Sequence, residues 1–406
     1  MDKRLRYSQN DVHDISVASG TVRLWSTDGR ANRKVIERAF QPLFKTDFVY
    51  PYVALMPDYH PGEGSMIGSV IPTKEVILPS VIGGDIGCGV CALRLPVTTS
   101  SLAHTLSEVH DRLLDRIPIG SAFNSVVSDR VARNGIWQRT VQAPVMTNRV
   151  HRKLMRQFSS LGGGNHFLEL QCDQQNAIWV MLHSGSRYLG VAIQQYYFEA
   201  GRGQSGVDER LYAKVPYLLT GKRCAEDSLS DMQFAIAFAR ASRREMMLRV
   251  LEALCSSCTE VQKAEPTALL EDMIDVAHNH IALEEHFGQP LAVHRKGATR
   301  ARSGDLGLIP RSMGTSSYVV EGRGNEFGFC SSSHGAGHAM SRGDAFRKIT
   351  ERQVRQSMEG VTYTYDDRVR DEAPQAYKNV RHVMRAQRDL VKIRHELFPV
   401  LSIKGH

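Results

Sequence analysis

Five short segments, scattered between Gly84 and Gly337, each set a metal-binding or nucleophilic side chain beside glycine or asparagine. They are Gly84-Asp85-Ile86-Gly87-Cys88-Gly89, Gly163-Gly164-Asn165-His166, Leu182-His183-Ser184-Gly185-Ser186-Arg187, His278-Asn279 and Ser333-His334-Gly335-Ala336-Gly337. Side chains so far apart act together only in a fold that gathers them through long-range contacts. Between them they offer one carboxylate, one thiol and four imidazoles. That donor mix suits Mn, Fe, Co, Ni or Zn better than Mg or Ca. The glycines let backbone approach a ligand closely and turn N–H groups toward an anion. Metal ligands beside anion-cradling loops point to metal-assisted chemistry on phosphates.

With 406 residues, 42% of them apolar, the chain can bury a large core, and 23% charged residues exclude wholesale disorder. Lys and Arg outnumber Asp and Glu by 51 to 43, a net charge of +8 that is compatible with a polyanionic partner such as nucleic acid. Seven cysteines, an odd number, form no disulfide framework. The start, Met1-Asp2-Lys3-Arg4-Leu5-Arg6, lacks an apolar signal stretch, and no apolar run reaches the ~20 residues that span a bilayer. The expectation is a reduced cytoplasmic protein without a membrane partner.

Residues 20–100 read as strands and turns, because short apolar runs such as Phe48-Val49-Tyr50 and Val53-Ala54-Leu55-Met56 end near proline. Helical spacing marks 101–118, and 146–158 reads as a short basic helix. Strands are expected at Phe167 to Leu170 and Ile178 to Leu182, and helices at 190–200 and 231–254. In the second helix, Met232, Ile236, Ala239, Met246, Val250 and Leu254 mark the buried side. Leu269 to Phe287 reads as partly helical, 291–331 as strand and turn, and 376–398 as a final helix. Mixed elements without regular βαβ alternation predict an α+β fold: one large domain over 1–406, mixed sheets flanked by helices, with a helical insertion at about 205–265.

Each site segment has an ordinary reading beside the functional one. Asp85 and Cys88 stand in a glycine-rich turn where a thiolate can bridge two cations; the alternative is a buried cysteine beside an N-capping aspartate. Cys88-x-x-Cys91 and Cys255-x-x-Cys258 have zinc-ribbon spacing, but the second pair ends a long helix and the first belongs to another pattern. A lone buried histidine is more often a core residue than a ligand, yet His166, His183 and His278 each have a small or amide neighbour. His334 precedes Gly335-Ala336-Gly337, a loop able to bring N–H groups to a phosphate beside a nucleophilic imidazole; the alternative is a flexible loop with an incidental histidine. Arg187, Lys296 and Arg342 lie beside these turns, and guanidinium groups grip phosphates.

These motifs resemble the RtcB family of GTP-dependent RNA-splicing ligases across nearly the whole chain. The likeness is carried by Met56-Pro57-Asp58-x-His60, Asp85-Ile86-Gly87-Cys88-Gly89, Gly164-Asn165-His166-Phe167-x-Glu169, His183-Ser184-Gly185-Ser186-Arg187 and His278-Asn279. It continues through Arg295-Lys296-Gly297-Ala298, Ile309-Pro310-x-Ser312-Met313-Gly314, Ser333-His334-Gly335-Ala336-Gly337, Ala376-Tyr377-Lys378 and Lys404-Gly405.

The resemblance implies that RNA ends carrying a 3′-phosphate or 2′,3′-cyclic phosphate are joined to 5′-hydroxyl ends with GTP and two Mn²⁺ ions. It implies Asp85, Cys88 and His166 around one ion, Cys88, His183 and His278 around the other, and His334 as the nucleophile that takes up GMP. It places Asn165, Phe167, Glu169, Asn279, Pro310, Ser312, Met313, Ser317, Gly335, Ala336, Gly337, Tyr377 and Lys404 around the guanylate. Asp58, Arg187, Lys296 and Arg342 would meet RNA or phosphate. Cleaved tRNA or rRNA fragments are the implied substrates, for RNA repair or tRNA splicing, and a release-factor homologue or an archease the implied protein partners.

Three positions depart from the family pattern. His338 replaces the usual Arg after His-Gly-Ala-Gly, Gly84 a usual Val or Phe, and Arg311 a usual Gly. An imidazole in place of a permanent cation keeps two alternatives in view: a 3′-phosphate guanylyltransferase that caps without joining, and a non-catalytic RNA-binding subunit.

Overall fold

The structure, a computed structural model, describes residues 11–27, 32–204 and 215–405. Its architecture is α+β. Six strands form one sheet in the order β1-β2-β3-β4-β12-β11: β1 (Val12–Val17), β2 (Gly20–Trp25), β3 (Tyr52–His60), β4 (Ile67–Thr73), β12 (Gln289–Lys296) and β11 (Asn279–His286). Seven form a second, in the order β10-β6-β8-β7-β17-β15-β14: β10 (Ile274–Ala277), β6 (Gly89–Thr98), β8 (Ala177–Ser184), β7 (Phe167–Cys172), β17 (Val391–Lys404), β15 (Ser317–Gly322) and β14 (Leu306–Ile309). All pairings in the larger sheet are antiparallel; in the smaller, β2 and β3 run parallel. Two short ribbons complete the set, β5 (Val76–Ile77) with β9 (Leu218–Leu219), and β13 (Ala298–Arg300) with β16 (Ser331–Ser333).

The main helices are α1 (Arg33–Phe44), α2 (Leu106–Arg116), α3 (Asn148–Gln157), α4 (Tyr188–Gln204) and α5 (Arg223–Cys255). In α5 the expected stripe is present: Met232, Ala239, Met246, Val250 and Leu254 are buried, and Ile236 is half-buried. Met246, Val250 and Leu254 join Leu93, Val180, Leu182 and Leu168 in one core against the larger sheet. Residues 205–214, where the expected insertion begins, lie outside the described residues.

Three sequence expectations are corrected. Residues 376–398 hold only a short helix, Val380–Ala386, and then the 14-residue strand β17. β17 pairs with β15 on one side and β7 on the other, and that pairing overrides the helical spacing. Pro399 fits because it lies where the register with β7 shifts. In 269–287 the helical part ends at Asp272, and the rest is β10 and β11. In β11 the burial alternates, with Ile281, Glu284 and His286 buried and Leu283 and Glu285 exposed on the far stretch. Third, the strand-and-turn stretch 20–100 contains α1, whose Asn32 caps the backbone N–H of Val35 and whose Ile36, Phe40, Leu43 and Phe44 are buried.

Candidate functional site

The two sheets meet where the scattered segments converge. His278 is the single residue between β10 of one sheet and β11 of the other. Its N–H donates to the Cys88 carbonyl at 3.0 Å, and its own carbonyl accepts from Ala298 N at 3.2 Å. Asp85 and Cys88 occupy the turn before β6, His166 immediately precedes β7, and His183 lies near the end of β8. In register, His183 of β8 sits opposite Val90 of β6 on one side and Phe167 of β7 on the other. This pairing brings the three segments side by side.

A fully buried arginine fastens them. Arg243 of α5 forms a two-pronged ion pair with Asp275 (2.7 and 2.8 Å) and donates to the carbonyls of Gly87 (3.1 Å) and Ser184 (2.7 Å). The loops carrying Cys88 and His183 thus hang from one side chain. Gly87 takes φ +75° against the backbone of α5, and a Cβ there would lie 2.9 Å from the Cα of Ile236. Asn279 adds a second tie, donating to the Asp85 carbonyl (3.0 Å) and accepting from Gly297 N (2.8 Å).

Cys88 Sγ lies 3.2 Å from His183 Nε2 and 3.5 Å from His166 Nε2, and the His183 and His278 Nε2 atoms are 3.0 Å apart. His166 Nδ1 donates to the Leu161 carbonyl at 2.9 Å, and His183 Nδ1 to the Asn165 carbonyl at 3.1 Å. Those bonds leave both Nε2 lone pairs pointing inward, the arrangement that orients metal-binding histidines. Burial favours neutral rings: it lowers His166 to about 4 and takes His183 and His278 well below the ordinary range. Burial likewise pushes the Cys88 thiol up, with Asp85 adding to the shift. With neutral rings, the Cys88 S–H and one Nε2–H between His183 and His278 can fill these contacts, and a cation bound there would displace those protons. Among the described residues, Cys88, His166 and His183 have ligand atoms all within 4.8 Å of one another. The donor set therefore fits soft or borderline divalent ions.

His334 follows β16, and its ring centre lies 4.7 Å from that of His278. Asp58, on β3, is fully buried and holds it: Asp58 Oδ2 accepts from His334 Nδ1 (2.7 Å), His334 N (3.1 Å) and Gly335 N (3.2 Å). With Nδ1–H bound, His334 Nε2 carries the free lone pair. Asp58 was expected at RNA or phosphate. In the structure it lies buried beneath His334 as an acceptor of N–H groups.

A cavity opens beside His334. Asn165, Phe167, Pro310, Gly335, Ala336, Gly337, Tyr377 and Lys404 line it, together with His60, Arg311, His338 and Glu372. Glu169, Ser312, Met313, Ser317 and Asn279, also expected around the guanylate, are not among the lining residues. Glu169 accepts from Ser402 Oγ (2.9 Å) and Gln171 Nε2 (2.6 Å), and Gln171 also reaches Ser317 (3.2 Å). Met313 N donates to the Glu372 carbonyl at 3.0 Å, and Ser312 binds Thr315 at 2.8 Å.

Glu372 is the residue that sequence reading missed. Its Oε2 accepts from Tyr377 (2.9 Å) and Lys404 (3.2 Å), while its buried Oε1 has no donor among the described residues. The available signal was the acidic pair Asp371-Glu372 standing just ahead of Pro374-Gln375-Ala376-Tyr377. His338 lies tilted against Tyr377 with ring centres 4.2 Å apart and meets His60 edge-on at 5.6 Å; burial lowers both imidazoles, His60 to about 4.

The expected phosphate-binding cations divide. Lys296, at the end of β12, is buried, donates to the Glu63 carbonyl and is lowered by burial to about 8. Arg187 is turned inward at φ 59°, and its guanidinium occupies the space that a Cβ on Gly162 would fill. Arg342 is mostly exposed and paired with Asp371 at 2.7 Å.

The profile of the family described as tRNA-splicing ligase RtcB matches residues 40–405. The RNA-splicing ligase RtcB of Escherichia coli (strain K12) is 36% identical, over 96% of this chain and 99% of that protein. The tRNA-splicing ligases RtcB of Thermococcus kodakarensis and Pyrobaculum aerophilum are 32% and 30% identical, each over 83% of this chain and over 83% and 84% of their own lengths.

Proposed function

The chain belongs to the RtcB family of RNA ligases, and from that premise we propose that it joins RNA 3′-phosphate or 2′,3′-cyclic phosphate ends to 5′-hydroxyl ends, using GTP and two Mn²⁺ ions. One observation carries the reading. A histidine whose Nδ1–H is held by a buried carboxylate stands against a cluster of inward-facing thiol and imidazole donors.

Asp85, Cys88 and His166 would hold one ion, and Cys88, His183 and His278 the other. Bound there, the ions supply Lewis-acid neutralisation of phosphoryl oxygens. His334 Nε2 attacks the α-phosphorus of GTP; a P–N bond forms and pyrophosphate leaves with the electrons of the broken P–O bond. Asp58 keeps the ring oriented and stabilises the positive charge that develops on it. The RNA 3′-phosphate then takes GMP from His334, and the 5′-hydroxyl displaces GMP to close the strand. A cyclic phosphate is first opened by water. Lys404, Glu372, Tyr377 and Phe167 would enclose the guanine, and the backbone of Ala336 and Gly337 would lie along its phosphate. Lys296 and Arg187 would meet RNA or triphosphate oxygens. In a cell, cleaved tRNA or rRNA in the cytoplasm would be the substrate; among the described residues no helix is long and apolar enough to cross a membrane.

Incubation with α-labelled GTP and Mn²⁺ tests this. Wild type is expected to take up an acid-labile label that His334→Ala does not, and absence of label on metal-loaded wild type overturns the reading. His338 favours a second reading, a capping enzyme: a ring held neutral stands where the family usually has a permanent cation. Supplying 3′-phosphate RNA with a 5′-hydroxyl partner separates the two, since joined product excludes capping alone.

A further inference from the structure

The net charge of this chain is concentrated. Between Pro118 and Asn165 six arginines and one lysine face a single acid, Asp129, so this stretch holds 7 − 1 = 6 of the +8 total. Arg130 is held by Glu245 and Glu252, and Arg133 by Asp129. Among the described residues no carboxylate pairs with the remaining five, Arg139, Arg149, Arg152, Lys153 and Arg156. Exposed arginines elsewhere are commonly paired, as in Arg300–Asp305, Arg355–Glu351 and Arg368–Asp366.

Four of the five stand on α3. Arg149, Arg152, Lys153 and Arg156 follow one another at spacings that place them on one helix face, all four are exposed, and the helix has no acid. Leu154 on the other side is buried. Like charges three and four residues apart destabilise a helix, and a bound polyanion relieves that repulsion. The face also leads to the site. Lys153 Nζ sits 3.8 Å from the ring centre of Tyr188, the neighbour of Arg187. A Cβ on Gly162 would overlap the Arg187 guanidinium and lie 2.7 Å from His166 Nδ1, so Arg187 reaches the histidine cluster. Arg156 lies 4.4 Å over the exposed ring of Phe123. Cation–π contacts hold two of the four charges in place. The helix is roughly 15 Å long, enough for several successive phosphates.

We propose that the exposed face of α3 is the track that holds the body of an RNA strand while its end enters the histidine cluster. This rests on the reading of the chain as an RNA ligase. The probe is a labelled RNA strand long enough to cover the helix, binding being measured over a range of KCl. The test variant is Arg149→Gln/Arg152→Gln/Lys153→Gln, its fold checked by circular dichroism. The expected result is at least a tenfold weaker affinity and a salt slope shallower by about 2, near 0.7 per charge removed from a single-strand contact. The apparent KM for long RNA should rise while that for a trinucleotide end stays put. Lengthening the phosphate-bearing or the hydroxyl-bearing strand separately shows which of them lies on the track. Uptake of labelled guanylate, which needs no RNA, should match wild type. Unchanged affinity and salt slope overturn the track and leave the ligase reading intact. Loss of guanylate uptake by wild type itself would strike the ligase reading alone.

Discussion

At the scale of the residue, the site depends on which atom of each ring is left free. Asp58 takes the Nδ1–H of His334 and two backbone N–H groups with one oxygen. Asp58→Asn keeps an acceptor but loses the charge that favours a cationic ring in the transition state. Guanylate uptake is expected to slow by about 10²–10⁴-fold with the fold retained, as measured by rapid quench with labelled GTP. Glu372 lines the cavity with a carboxylate oxygen that has no donor among the described residues. Glu372→Gln is therefore expected to lower discrimination of GTP over ATP by about tenfold or more, measured as a ratio of kcat/KM. The convergence of Cys88, His166 and His183 was legible in the sequence, because thiol and imidazole beside glycine are chemically distinctive. The bonds that orient them were not: Asp58 lies 276 residues from His334, and no local pattern reports that pairing. Nor does any local pattern report that Arg243 of α5 is a buried tie between the Gly87 and Ser184 carbonyls.

At the scale of the element, local pattern sufficed where burial is one-sided and failed where a segment is flanked by strands. The long stripe of α5 has helical period and forms a helix. Residues 391–398 share some of that spacing, yet two neighbouring strands supply hydrogen-bond partners along the segment and draw it into the larger sheet. The glycine loop after His334 shows the opposite case, where one residue type is demanded. Gly337 takes φ +74°, and a Cβ there would overlap the Asp58 carbonyl oxygen. Gly337→Ala must push the loop off β3, so a loss of about 1–3 kcal/mol is expected in urea unfolding, together with loss of guanylate uptake.

At the scale of the whole molecule, buried neutral histidines tie stability to pH. His294 is fully buried; its Nε2 accepts from Leu78 N (2.8 Å) and its Nδ1 donates to the Ile71 carbonyl (2.8 Å). Burial lowers it from 6.5 to about 4. In that window the unfolded chain binds a proton that the folded chain refuses, so stability falls as the pH drops from 6.5 toward 4, by about 1.4 kcal/mol per unit for this group. Urea midpoints at descending pH should fall more steeply for wild type than for His294→Gln; parallel curves would assign the acid sensitivity to other groups. The α+β class was readable from the mixture of elements, whereas the division into two sheets that meet at His278 was not, since pairs such as β4 with β12 and β7 with β17 join segments more than two hundred residues apart.

Strand β17 carries Lys404 into the cavity after pairing with β7, whose residues lie more than two hundred positions earlier. During synthesis, at roughly 10 residues per second, Lys404 follows His334 by about 7 s. His334 is thus made well before Lys404 completes the lining of the cavity. A nascent chain in that interval would display exposed thiol and imidazole donors to any passing ion, which makes the order of ion capture and strand insertion a question of biogenesis as much as of catalysis.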